Sequence, residues 1–226
     1  MITGLVPVAH IYTDFPVKFG IPRQSGLVET RGKIIFEKEF RSPDAVRGLE
    51  DFSHLWLIWE FSENRDKEKS LTVRPPRLGG NKRIGVFATR SSFRPNNLGL
   101  SCVKIEKIDL ECENAPVIHV TGADMLDGTP VFDIKPYLPF TDSRPDAKGG
   151  FADEVFSDCL TVFFENGTAD ILTKQEKEIL TKLLSQDPRP HYHSDDERIY
   201  AFEYSRYKIK FTVKDTALTV KEISVI

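Results

Sequence analysis

The sequence predicts a mainly β protein, a single-sheet β-barrel followed by a small α+β unit. Three observations carry this expectation. Many short segments alternating apolar and polar residues follow one another with no long helix between them, as in a barrel. Leu55 to Phe61 (LWLIWEF) is nearly all apolar, like a strand covered on both faces. Beyond a stretch rich in Pro, Gly and Asp, one capped helix and three further alternating segments suit a second, smaller unit.

The strands of the first part are expected at Val6 to Tyr12, Lys33 to Phe36, Leu55 to Phe61, Ile84 to Ala88, Val103 to Leu110, Val117 to Thr121 and Val131 to Ile134. Val103 to Leu110 (VKIEKIDL) alternates strictly, so one face should meet the core and the other water. Turns are expected at Leu78-Gly79-Gly80-Asn81 and across Leu126 to Pro130. A short helix should start at Ser42, with Pro43 in its first position and Gly48 near its end. Around Thr141 to Gly150 (TDSRPDAKGG) the apolar pattern stops, which divides the chain into residues 1–145 and 151–226. The second unit should hold a strand at Leu160 to Phe164 and a helix from Lys174 to Leu184. A capping-box pair, Thr173 and Glu176, introduces that helix, and Leu172, Ile179, Leu180, Leu183 and Leu184 lie to one side of it. Strands at Ile199 to Tyr204, Tyr207 to Val213 and Leu218 to Val225 follow, the last two joined by a hairpin turn at Lys214-Asp215-Thr216.

A chain of 226 residues with 40% hydrophobic and 11% aromatic content buries a core without staples, which excludes wholesale disorder. No apolar run approaches the roughly 20 residues that span a bilayer, and Met1 to His10 lacks a signal peptide's pattern, so a cytoplasmic protein is expected. Cys102, Cys112 and Cys159 are odd in number and show no C-x-x-C spacing, which argues for buried or inert thiols over disulfides or thiolate zinc. The net charge of -3 hides a local asymmetry. Between Thr72 and Gly99 six basic residues (Arg74, Arg77, Lys82, Arg83, Arg90, Arg94) stand with no acidic one, enough for a positive surface.

Four polar segments rich in Gly and Pro adjoin strand ends: Pro22-Arg23-Gln24, Thr72 to Gly80, Phe87 to Gly99 and Asp124 to Pro136. Arg projecting from a stiff backbone suits an anionic or planar ligand, because the guanidinium is a fixed fork of donors with a stacking face. Ordinary surface turns attract the same residue types, and composition alone leaves both readings open.

The longer strings are more specific. PRQSGLVE, AVRGLEDFSHLWLIWEF, TVRPPRLGGNKRIGVFATRSSFRPNNLGLS and DMLDGTPVFDIKPYLPF resemble, in order across about residues 5 to 145, the successive motifs of the TsaA-like family of tRNA methyltransferases. QDPRPHY, from Gln186 to Tyr192, is similar to a motif of the extra C-terminal domain of the bacterial members. The chain departs from the family pattern at Asn97, where R-P-N-P is usual.

This resemblance implies a single-sheet barrel in place of a Rossmann domain, S-adenosylmethionine as methyl donor, and N6 of threonylcarbamoyladenosine beside the tRNA anticodon as acceptor. The lack of a G-x-G-x-x-G between strand and helix agrees with it. By similarity the cofactor contacts fall at Pro22, Arg23, Gln24, Ser62, Glu63, Arg90 and Leu100, and at Asp124, Met125, Leu126 and Asp127. Arg23 or Arg90 can meet the cofactor's carboxylate, while Glu63, Asp124 or Asp127 can hold its ribose or amino group. Leu100 can pack on adenine. Asp124 and Asp127 also read as turn formers before Gly128.

Methyl transfer is an in-line displacement that depends on positioning, and the conjugated N6 needs a base or strong acceptor. Asp133, Lys135 and Tyr137 fall on one face of a continuing strand and are the candidates, against the alternative of a solvated strand end. Arg74, Arg77 and Arg94 are the expected contacts to tRNA phosphates. Family members are homodimers with the cofactor near the interface, so a twofold dimer is expected. His54 reads as a hydrogen-bonded core residue. His191 and His193 lack a cysteine cluster, and no metal is expected. The competing reading is a non-catalytic nucleotide- or RNA-binding barrel, which calorimetry with S-adenosylmethionine would separate. A hydrolase lacks a nucleophile with a His and Asp constellation.

Overall fold

The structure, a computed structural model, describes residues 4–75, 82–155, 159–189 and 196–226. Six strands, β1 (Ala9–Thr13), β2 (Arg31–Phe36), β3 (His54–Glu60), β6 (Leu98–Asp109), β7 (Val117–Thr121) and β8 (Thr129–Pro136), close a barrel in the order β1-β2-β7-β6-β3-β8. Every pairing in the barrel is antiparallel. Ile11, Ile34, Leu55, Leu57, Val103, Ile118, Val120 and Val131 alternate inward and fill its centre. A two-stranded ribbon, β4 (Thr72–Val73) and β5 (Ile84–Gly85), stands beside it. Of the expected strand at Ile84 to Ala88, only this pair of residues is extended, and a 3-10 turn follows over Val86–Ala88.

β6 begins at Leu98, earlier than the alternation starting at Val103 suggests. Its inward positions there are Gly99 and Ser101, too small to register as an apolar face, while Leu98 and Leu100 point away from the core. The reason is Trp59 on the facing strand. A Cβ on Gly99 would lie 2.3 Å from the indole Cε2, so the ring occupies the space a side chain at 99 would need. His54 also differs from expectation. It falls on the outward phase of β3 and bonds through Nδ1 to the Ser53 hydroxyl at 2.8 Å.

The helix at Ser42 forms as α1 (Pro43–Val46), with the Ser42 side chain accepting from Asp44 N and Gly48 at φ 84°. α2 (Pro139–Asp142) follows the barrel. The C-terminal sheet has the order β10 (Tyr200–Tyr204), β11 (Tyr207–Lys214), β12 (Ala217–Val225) and β9 (Thr161–Phe164), with β9 parallel to β12. α3 (Lys174–Ser185) packs Leu180, Leu183 and Leu184 into its core, and both halves of the Thr173–Glu176 capping box are made.

This second core also takes side chains from far upstream. Phe15 and Val28 are buried in it, and Phe19, Ile21 and Leu27 pack against it. The segment between β1 and β2 therefore leaves the barrel, lines the C-terminal sheet and returns. At Gly20 the backbone takes φ 95°, and an added Cβ would meet Phe202 Cδ2 at 2.4 Å. Among the described residues, no helix is long and apolar enough to cross a membrane. Cys112 and Cys159 are exposed, whereas Cys102 is half-buried and its thiol pKa is pushed up by burial.

Candidate functional site

A cavity of about 480 Å³ opens where the 14–30 segment, the end of β3, the Thr89–Arg94 loop, the start of β6 and the turn after β7 converge. Of the residues expected at a cofactor, Pro22, Arg23, Gln24, Ser62, Glu63, Arg90, Leu100, Asp124 and Leu126 line it. The turn after β7 divides its side chains. Asp124 and Leu126 face the cavity, Met125 is buried in the barrel core, and Asp127 Oδ1 accepts from Thr13 N at 2.8 Å. Met125 and Asp127 are not lining residues.

A hydrogen-bond relay supports the cavity's inner wall. Trp59 Nε1 donates to Ser101 Oγ at 2.9 Å, and Ser101 Oγ donates to Asp124 Oδ1 at 2.6 Å. Burial pushes the Asp124 carboxyl above the usual carboxylate range, while the Ser101 hydroxyl and the Arg90 charge pull it back. The outer wall is a second network. Arg90 Nη1 donates to Gln24 Oε1, Gln24 Nε2 donates to Arg23 O, and Arg23 Nη2 donates to the Asp187 carbonyl at 2.9 Å. Lys18 adds a cation at the floor, paired with Glu63 at 3.0 Å and donating to Asn64 Oδ1 at 3.2 Å.

Asn97 holds two of these loops together. It is buried at φ 49°, its Nδ2 donates to Asn64 O at 3.1 Å, and its carbonyl accepts from Phe61 N at 2.8 Å. Proline cannot adopt that φ. The departure from R-P-N-P therefore goes with a backbone that only Asn, Asp or Gly takes readily.

Lys18, Trp59, Asn64 and Ser101 were not singled out by the sequence reading. Trp59 and Ser101 lie within motif strings and carried a signal; Lys18 lies outside them, and only folding brings it to Glu63.

The other expected residues lie elsewhere. Asp133 and Lys135 form an ion pair at 2.9 Å on the outer face of β8, and Tyr137 packs on Trp56, with ring centroids 5.8 Å apart. None lines the cavity, but Ile58 pairs with Leu100 on one side and Asp133 on the other. Two strand spacings, about 10 Å, thus separate Leu100 at the cavity from Asp133. Arg74 is exposed beside β4. Arg94 lines the cavity and donates to its own loop, to Thr89 O at 2.7 Å. Arg77, His191 and His193 lie outside the described residues. Among the described residues, no group of three or more His, Cys, Asp or Glu gathers as a metal cage.

Comparison with known proteins gives one answer for both halves. Residues 10–143 match the model of the tRNA-methyltransferase O N-terminal domain, and residues 157–226 match the TrmO C-terminal domain. The chain is 40% identical over 230 residues to the tRNA (adenine(37)-N6)-methyltransferase of Escherichia coli strain K12, covering 94% of each chain. It is 38% identical over 203 residues to a putative S-adenosylmethionine-dependent methyltransferase, RcsF, of Pseudomonas aeruginosa, covering 87% of this chain and 86% of the relative. A crystal structure of TrmO from P. aeruginosa superposes with a TM-score of 0.81 at 30% identity, covering 100% of this chain and 98% of that one. The barrel, the appended α+β sheet and the motif order thus coincide from end to end, and the chain belongs to the TrmO family of tRNA methyltransferases.

Proposed function

We propose that this chain is an S-adenosylmethionine-dependent methyltransferase that methylates N6 of threonylcarbamoyladenosine next to the anticodon of tRNA. The observation that carries the reading is the cavity at which Gln24, Arg90 and Asp124 converge from three separate loops. Its volume, about 480 Å³, lies within the range of cofactor pockets. The donor set fits this ligand. Arg90 keeps further guanidinium donors for a carboxylate beyond the one given to Gln24, and Asp124 offers an anionic acceptor to an amino or hydroxyl group. Trp59, Leu100 and Leu126 offer apolar surface to a purine.

S-adenosylmethionine supplies an electrophilic methyl group on its sulfonium. The chain's residues then have to hold the acceptor nitrogen in line, keep water out and accept a proton. Asp133, Lys135 and Tyr137 serve the acceptor in this reading, on a surface continuous with the cavity mouth through Ile58. Arg74, Arg77 and Arg94 contact tRNA phosphates, with Arg94 also holding its own loop. A homodimer covers the exposed Phe87, Phe93 and Leu100 on or beside the cavity loops, and the protein works in the cytoplasm. Residues 1–145 and 151–226 act as separate units that share the 14–28 segment.

The test is mass spectrometry of tRNA nucleosides after incubation with protein and isotopically labelled S-adenosylmethionine. A labelled methyl on threonylcarbamoyladenosine supports the reading. Its absence from fully modified tRNA, with the cofactor bound, would leave a binding protein.

A further inference from the structure

The expected cofactor segment is built largely by the C-terminal unit. Between β1 and β2, Phe15, Phe19 and Ile21 pack into the second core just before Pro22, and Leu27 and Val28 do so just after Gln24. Gly20 lies flat against Phe202. Both stems of the Pro22-Arg23-Gln24 turn are thus fixed by the core of the C-terminal unit, and its tip faces the cavity.

The tip is held by a further device at the end of α3. Asp187 follows the C-cap of α3 with φ 48°, where glycine is usual. Its carboxylate is gripped by Arg189, whose Nε and Nη2 donate to the two oxygens at 2.9 Å each, while Arg189 N donates to Oδ1 at 3.2 Å. Both side chains are mostly buried, at 14% and 16% exposure, so the pair is shielded and rigid, unlike a solvated ion pair. This grip fixes the peptide plane after Asp187, and that carbonyl is the one that accepts from Arg23 Nη2 at 2.9 Å. Through Arg23 and Gln24 the order reaches Arg90.

We infer that Asp187 and Arg189 are positioning residues for the methyl-donor cavity, acting through the Asp187 carbonyl on Arg23. The second unit is then a scaffold for cofactor binding, whatever it also does for RNA. The inference rests on the reading of the cavity as the S-adenosylmethionine site.

The test is a double-mutant cycle on the full chain, read by calorimetry with S-adenosylmethionine and by KM for each substrate. Arg189→Ala and Arg23→Ala should each weaken the cofactor about tenfold, as loss of a hydrogen bond to a charged group does. The double variant should be no worse than Arg23→Ala by more than about twofold, because the two act through one contact. Asp187→Asn, which keeps both the left-handed backbone and an acceptor for Arg189, should stay within about threefold of wild type. Asp187→Gly keeps the backbone but drops the grip, and replaces Arg189→Ala if that variant loses its thermal transition. Folded Arg189→Ala or Asp187→Gly protein with wild-type cofactor affinity overturns the inference. So do multiplicative effects in the cycle, or a rise confined to the KM for tRNA. Wild-type protein that binds no cofactor instead overturns the reading of the cavity.

Discussion

The Ser101 hydroxyl donates to Asp124 Oδ1 at 2.6 Å while accepting from the Trp59 indole at 2.9 Å, so the hydroxyl proton has one direction to point. This orients a part-buried carboxylate at the wall of the cavity. Ser101 sits on the inward phase of β6 opposite Leu57, and the missing side chain of Gly99 two residues earlier is what leaves room for the Trp59 ring.

Asp124→Asn should weaken S-adenosylmethionine about tenfold, because it keeps the Ser101 contact and removes only the charge. The same variant should be more heat-stable than wild type at neutral pH. Burial raises the folded pKa of Asp124 above the ordinary carboxylate range, so between the unfolded and folded values the folded state holds a proton the unfolded state releases, and the stability it contributes is lost as pH rises through the folded value. Below pH 4 the two proteins should melt alike on this account. Thermal melts of the free proteins across pH, paired with calorimetry at pH 7, check both halves.

Gly99→Ala should destabilise the protein by about 1–3 kcal/mol, the usual cost of overpacking a core. The added methyl meets the indole at 2.3 Å, and moving the ring breaks the bond to Ser101. Urea unfolding should give the stability loss, and tryptophan fluorescence of the folded variant should report the displaced ring.

Asn97→Pro should cost about 3 kcal/mol or more, since proline fixes φ near −65° and this residue stands at φ 49°. The substitution also removes the side-chain bond to Asn64 O. Asn97→Gly keeps the backbone and should lose far less. Urea midpoints of the two variants measured side by side test whether the backbone angle sets this position, and equal losses would refute it.

Asp133→Asn and Lys135→Met should change stability by less than about 1 kcal/mol, because their ion pair is solvent-exposed. Cofactor affinity should move less than about twofold in either variant, as neither side chain lines the cavity. A role on the acceptor side requires kcat on modified tRNA to fall about a hundredfold or more in Asp133→Asn. Steady-state kinetics with saturating cofactor decide it, and an unchanged kcat removes the trio from the chemistry.

Strand phases, the capped helix and the barrel class were legible in the sequence because they are local. The Thr173–Glu176 pair and the Asp215 turn each need only near neighbours, and the structure has them where expected, whereas the expected alternation of VKIEKIDL breaks at a bulge between Ile105 and Lys107 and Leu110 falls beyond β6, exposed. Nine of the eleven cofactor positions that the family resemblance implies line one cavity. What tertiary structure alone decided are matters of contact across distance. No local pattern in LGLSC marks a strand, because its inward residues are Gly99, whose place the Trp59 ring takes, and the polar Ser101. Lys18 meets Glu63 only in the folded chain, and Phe15 and Val28 join a core whose other buried members run from Leu180 to Val220. Asp187 lies in the QDPRPHY string, and its hold on Arg23 exists only once residues 164 positions apart are packed together. A sequence carries the pattern of burial along one chain direction; which buried faces share a core is settled by the cost of leaving either exposed to water.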